Sequence, residues 1–187
     1  SFTLPETSEN DKAKAKELLQ NINPNLKTVI ISPETTWENK HWTAEGWREV
    51  ITELQGKINL VYTGTTNDKG LGEKILNGFE NVINLRGKTS LFELEEVFKL
   101  ADLVISVDSG SAHVAWATGK PAIVTLFFST SANRTAPFGE KYFSIQAETD
   151  CSPCMKRKCR LQEKNKCFLT INSQNIVKIV KKVLQFE

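Results

Sequence analysis

Asp108, Ser109, Gly110 and His113 stand close together directly after an apolar run, and this combination suits an anionic ligand. Glycine lets a ligand approach the backbone, and a helix beginning there offers unpaired N–H groups with a partial positive charge. His113 falls about one helical turn from Ser109, so its ring can lean toward whatever the turn holds. The ligand this chemistry fits is a phosphate. Taken alone, the stretch reads equally well as a helix cap, because Asp and Ser are ordinary N-cap residues and a lone His is an ordinary surface residue.

Other segments carry compatible groups. Lys40 follows Thr35 and Thr36, so an ammonium and two hydroxyls could supply charge and direction to a phosphate, or form a solvated turn. Asp68, after Gly64-Thr65-Thr66-Asn67, could accept both hydroxyls of a ribose or cap the next helix. Thr130 lies in a polar loop with Arg134 that could close on a diphosphate or remain plain surface. Trp42 reads as core.

Four cysteines, Cys151, Cys154, Cys159 and Cys167, fall in one segment. They could form a tetrahedral zinc site, with neighbouring cations offsetting thiolate charge, or two disulfides, which a reducing compartment disfavours. Lys156, Arg157, Lys158, Arg160, Lys164 and Lys166 make the same segment basic. That patch suits an anionic lipid surface better than nucleic acid, since only Phe168 interleaves and the net charge of the chain is +2.

These groups need a scaffold. The 187 residues, 40% hydrophobic and 25% charged, suit one globular domain. No signal-peptide pattern is present, and no apolar run approaches the ~18 residues of a membrane span. Strands are expected at 28–32, 58–63, 81–85, 103–107, 122–127 and 142–146. Between and around them, helices are expected at 9–20, 44–54 with Thr43 as N-cap, 69–77, 90–100 opened by a Ser90/Glu93 capping box, 111–118 and 173–184. Alternating strands and helices imply an α/β fold, a Rossmann-like parallel sheet with helices on both faces. Its ligands would bind at the carboxyl ends of the strands, where the loops carrying Lys40, Asp68, Asp108 and Thr130 converge. No G-x-G-x-x-G turn, P-loop, nucleophile elbow or His-Glu metalloprotease helix is present.

Taken together, Thr35-Thr36 with Lys40-His41-Trp42, the Gly64 to Asp68 loop, Gly87-Lys-Thr-Ser-Leu91, Asp108-Ser-Gly-Ser-Ala-His113, and Thr130 with Pro137-Phe-Gly139 resemble the heptosyltransferases of glycosyltransferase family nine. The resemblance implies one half of a GT-B fold, the carboxyl-terminal, donor-binding half. Residues 1–27 would be an inter-domain arm and first helix, and 28–187 the nucleotide-sugar-binding domain; the start at Ser1, with Met155 as the single methionine, agrees with that expectation.

By the same resemblance, Thr35, Thr36, Lys40, Ser109, Gly110 and Thr130 hold the donor phosphates, Asp68 the ribose, and Asp108 and His113 the sugar. The donor implied is ADP-heptose and the acceptor a lipopolysaccharide core or other glycan. The implied reaction is inverting transfer without a catalytic metal, with the general base in an amino-terminal domain outside this chain. A cytoplasmic location, with peripheral contact at the inner membrane, completes the expectation, while a structural zinc stays one of the open readings of the cysteines beside disulfides and reduced thiols. Two alternatives remain: a nucleotide-binding or cysteine-cluster interaction module without catalysis, and a GT-B sugar-nucleotide epimerase.

Overall fold

The computed structural model describes residues 4–68, 70–161 and 165–186. Six strands, β1 (Thr28–Ser32), β2 (Asn59–Tyr62), β3 (Val82–Asn84), β4 (Leu103–Val107), β5 (Ala122–Phe127) and β6 (Tyr142–Gln146), form one sheet in the order β3-β2-β1-β4-β5-β6. Every neighbouring pair is parallel. This is the doubly wound arrangement expected, with strand order reversing between β1 and β4.

The two faces follow from period-two alternation along the strands. Val29 and Ile31 of β1, with Leu103, Ile105 and Val107 of β4, join one core, while Ile30 and Val104 join the other. The first core is covered by α2 (Ala44–Leu54), α3 (Leu71–Leu76) and α7 (Ser173–Leu184). On the opposite face lie α1 (Glu9–Leu18), α4 (Leu91–Lys99) and α5 (Gly110–Ala117). Ala15 and Leu19 of the α1 region are buried against Val97 and Phe98 of α4, so the first helix belongs to the packed unit.

Local signals explain most helix boundaries. Thr43 accepts a hydrogen bond from the Gly46 N–H at the start of α2, and the Ser90/Glu93 capping box opens α4. The first helix stops short of the expected residue 20, because the chain tightens through Gln20 N–H to Glu17 and Ile22 N–H to Leu19 carbonyls. The third helix, expected over 69–77, starts at Leu71 after Gly70, whose φ of +79° suits glycine; Lys69 lies outside the described residues. Three short pieces were not expected: one-turn 3-10 helices at Glu38–Lys40 and Lys166–Leu169, and α6 (Ala132–Thr135). Each is too short for a hydrophobic period to register.

Trp42 is buried, as expected, in edge-on contact with Trp47 at 5.3 Å between ring centroids. Its indole N–H donates to the Phe168 carbonyl at 3.0 Å, so the ring has little freedom to move. A Cβ at Gly46 would lie 2.4 Å from that ring. Gly46→Ala is therefore expected to destabilise the fold by about 1–3 kcal/mol through overpacking, read as a lowered urea midpoint. An unchanged midpoint would mean that the Trp42 ring can yield.

Candidate functional site

The reversal of strand order leaves a crevice where the loops after β1 and β4 diverge to opposite faces. Asp108 sits there, at the end of β4, and is buried. Its N–H donates to the Leu126 carbonyl, which holds it against β5. Lys40, delivered by the one-turn helix after β1, places its Nζ 2.8 Å from Asp108 Oδ2. The Thr130 hydroxyl, from the loop after β5, donates to the same oxygen at 2.6 Å. His113 Nε2 lies 3.9 Å from the other oxygen, Oδ1. Three residues expected at the rim, Lys40, Thr130 and His113, therefore meet at the Asp108 carboxylate from the segments after β1, β5 and β4.

The turn into α5 is built from hydroxyls. Ser109 Oγ is 2.8 Å from Ser111 Oγ and 3.2 Å from Ser106 Oγ, and Ser111 Oγ is 2.8 Å from Ser32 Oγ. The Ser106 hydroxyl donates to the Ser32 carbonyl at 3.0 Å, joining the ends of β1 and β4. Because the Ser109 side chain is used in this chain of hydroxyls, it makes no capping bond to α5. The first N–H groups of the helix are left without that side-chain partner at the crevice, a favourable place for an anion. A Cβ at Gly110 would meet nothing within 4 Å, so open space lies over the bare backbone at that position.

On the β1 loop, the Thr35 carbonyl accepts from His41 Nε2 at 2.8 Å, which requires the Nε2–H tautomer or the charged ring. Thr36 is exposed beside it. Lys40 Nζ lies 4.7 Å from the centroid of the Trp37 ring.

Asp68 departs from the expected role. Its carboxylate accepts from the backbone N–H groups of Gly70 and Gly72 at 3.0 and 2.6 Å and pairs with Arg86 Nη2 at 2.9 Å. The side chain is 1% exposed, which leaves it no open face for a ribose diol. Its work here is to cap α3 and anchor the loop after β2, the alternative reading of that residue.

The same cluster holds two residues that were not singled out in the sequence. Glu34 Oε2 accepts from the Thr65 N–H at 2.7 Å and hydroxyl at 3.0 Å, and its Oε1 lies 4.0 Å from Arg86 Nε. Burial pushes the Glu34 carboxyl above its ordinary range, with Asp68 adding to the effect, while the Thr65 bonds and Arg86 pull it back. Glu34 follows β1 and Arg86 follows β3, so the strand order β3-β2-β1 was the signal that could have joined them.

All four cysteines are partly buried. Burial pushes the Cys167 thiol up to about 11, and the nearby sulfurs of Cys151, Cys154 and Cys159 add to that shift. Among the described residues, no group of three or more His, Cys, Asp and Glu is arranged to hold a metal ion. Lys156, Arg157, Lys158, Arg160 and Lys166 are exposed, and Lys164 lies outside the described residues. Also among the described residues, no helix is long and apolar enough to cross a membrane.

Comparison with known proteins identifies the family of the chain. The profile described as glycosyltransferase family 9 (heptosyltransferase) matches residues 3–165. A lipopolysaccharide core heptosyltransferase (OpsX) of Haemophilus influenzae is 36% identical over 124 residues, which are 64% of this chain and 35% of that protein. Lipopolysaccharide heptosyltransferase 1 of Campylobacter coli is 33% identical over 180 residues, covering 91% of this chain and 51% of that protein. The chain thus spans about a third to a half of these relatives. Among solved structures, a family 9 glycosyltransferase from Veillonella parvula superposes with a TM-score of 0.82 at 19% identity, over 96% of this chain and 53% of that one, a likeness of fold. The fold is likewise shared with an Escherichia coli heptosyltransferase solved with ADP-2-deoxy-2-fluoro heptose, with a TM-score of 0.65 at 21% identity over 97% of this chain and 51% of that one.

Proposed function

Since the chain belongs to glycosyltransferase family 9, the heptosyltransferases, we propose that it forms the donor-binding half of an inverting glycosyltransferase that takes ADP-heptose and acts on a lipopolysaccharide core. The observation that carries this reading is the meeting of Lys40, Thr130 and His113 on Asp108, beside the start of α5. Such a crevice offers a nucleoside diphosphate one ammonium, several hydroxyls and the N–H groups of a helix terminus.

In the reaction, an acceptor hydroxyl attacks the anomeric carbon as the C–O bond to the diphosphate breaks, and ADP leaves with the bonding electrons. Negative charge grows on the leaving phosphate, where Lys40 and the α5 terminus stabilise it, so this reading asks no metal to do that work. Thr35, Thr36, Ser109 and Gly110 line the approach to those phosphates. Asp108 and His113 orient the sugar, Asp108 through the one oxygen that neither Lys40 nor Thr130 takes. The base that removes the acceptor proton comes from outside this chain, across the cleft of a two-domain enzyme. Asp68 contributes indirectly, by holding the loop after β2 in place. The exposed basic side chains of the Cys-rich segment suit peripheral contact with an anionic membrane that carries the acceptor, on the cytoplasmic side.

Calorimetric titration of the chain with ADP-heptose, ADP, GDP and UDP tests the reading. ADP and ADP-heptose are expected to bind more tightly than the other two nucleotides, and the isolated chain is expected to transfer no sugar. Equal binding of all three diphosphates would remove the adenine assignment, and sugar transfer by this chain alone would remove the division of labour.

A further inference from the structure

The Cys-rich segment is tied to both loops that hold Asp108, and the ties alternate with its cysteines. On the β5 side, the Ser152 hydroxyl donates to the Phe128 carbonyl at 2.6 Å and the Met155 N–H to the Ser129 carbonyl at 2.7 Å. Toward the β1 loop, the Asn39 N–H donates to the Arg157 carbonyl and its side-chain amide to the Lys156 carbonyl, each at 3.2 Å. Asn39 is buried and directly precedes Lys40. The segment thus crosses from the Thr130 loop to the Lys40 loop, and Arg157 lies at the Lys40 end.

Arg157 and Lys40 share one aromatic ring. The Arg157 guanidinium carbon lies 5.1 Å from the Trp37 centroid, and Lys40 Nζ lies 4.7 Å from it. Lys40 is neutralised by Asp108, whereas Arg157 has no carboxylate partner among the described residues. A guanidinium held on a ring without a carboxylate partner, where the same ring also meets a paired ammonium, presents oriented donors to an incoming anion.

We infer that Arg157 is a further donor-phosphate residue of the site proposed above, carried in by the Cys-rich segment and oriented by Trp37 and Asn39. Its planar fork suits the oxygens of a diphosphate, which Lys40 meets as a point charge. The proposal rests on the donor-binding reading, and inorganic pyrophosphate separates the two.

Calorimetric titrations of the wild-type chain, Arg157→Ala, Arg157→Lys and Lys158→Ala with pyrophosphate, AMP and ADP provide the test. Arg157→Ala is expected to weaken pyrophosphate and ADP about tenfold and AMP less, with Arg157→Lys between it and the wild type and Lys158→Ala unchanged. A change in melting temperature identifies any variant whose loss of binding comes from unfolding. Wild-type affinity of Arg157→Ala for pyrophosphate and ADP would overturn the inference, as would equal losses in Arg157→Ala and Lys158→Ala. If Arg157→Ala weakens pyrophosphate but the wild type binds ADP no better than pyrophosphate, Arg157 stands and the nucleotide reading falls. A wild-type chain that binds neither probe overturns both.

Discussion

Replacing Lys40 by alanine is expected to lower the affinity for ADP about 100-fold, close to 2.7 kcal/mol. Two effects act in the same direction. On the proposed donor-binding reading, the ammonium that would meet the diphosphate is lost, and Asp108, buried and relieved of its partner 2.8 Å away, would turn an uncompensated negative charge toward the phosphates. Truncating one member of a buried charged pair commonly costs about 2–5 kcal/mol, much of it from the charge left behind. The double variant Lys40→Ala/Asp108→Asn separates the two effects. Neutralising Asp108 is expected to recover thermal stability and part of the ADP affinity, leaving the loss due to the missing cation. Calorimetry and melting curves on the two variants check this, and ADP affinity within threefold of wild type in Lys40→Ala would show that the β1 loop does not meet the phosphates.

The largest effect on stability is expected at Arg86. Its guanidinium is 2.9 Å from Asp68 and 4.0 Å from Glu34, and all three side chains are at most 12% exposed. Arg86→Ala leaves two buried carboxylates facing each other, at a cost of about 3–5 kcal/mol. For a chain of this size that is a fall in melting temperature of roughly 6–20 °C.

The deficit should depend on pH. Burial already raises the Glu34 carboxyl above its ordinary 4.5, and loss of Arg86 raises it further. With its affinity for protons raised by folding, the native state holds more protons than the unfolded chain. Stability then falls as pH rises from the ordinary carboxylate range through the raised one. Arg86→Ala is accordingly expected to lose less stability relative to wild type near pH 5 than near pH 8, measured by urea denaturation at both. A deficit that is the same at the two pH values would remove Glu34 as the source.

Residue pattern and structure agree best where the information is local. All six expected strands are present, with the mostly apolar β1, β4 and β5 buried along their whole length and the edge strands β3 and β6 only partly so, and Thr43 and Ser90 mark helix starts because a cap acts over three residues. Third-strand and third-helix limits moved by a residue or two, which fits elements only three and six residues long. Asp68 shows what local reading misses. A carboxylate after β2 serves a ribose or a helix cap with the same residue type, and its burial depends on Arg86, eighteen positions later in the chain and after the neighbouring strand β3.

What the sequence by itself determined is therefore the alternation of strands and helices, the rim on which the polar loops lie, and the family resemblance those loops carry. Only the tertiary structure decided which of their side chains meet. Strand order brought Lys40 and Thr130 to the Asp108 carboxylate and enclosed Asp68 and Glu34 around Arg86, while the Asn39 hydrogen bonds to the Cys-rich segment laid Arg157 against Trp37. The physical reason is that backbone propensity and hydrophobic period act within a few residues, whereas a charge pair is set by packing between segments far apart in the chain.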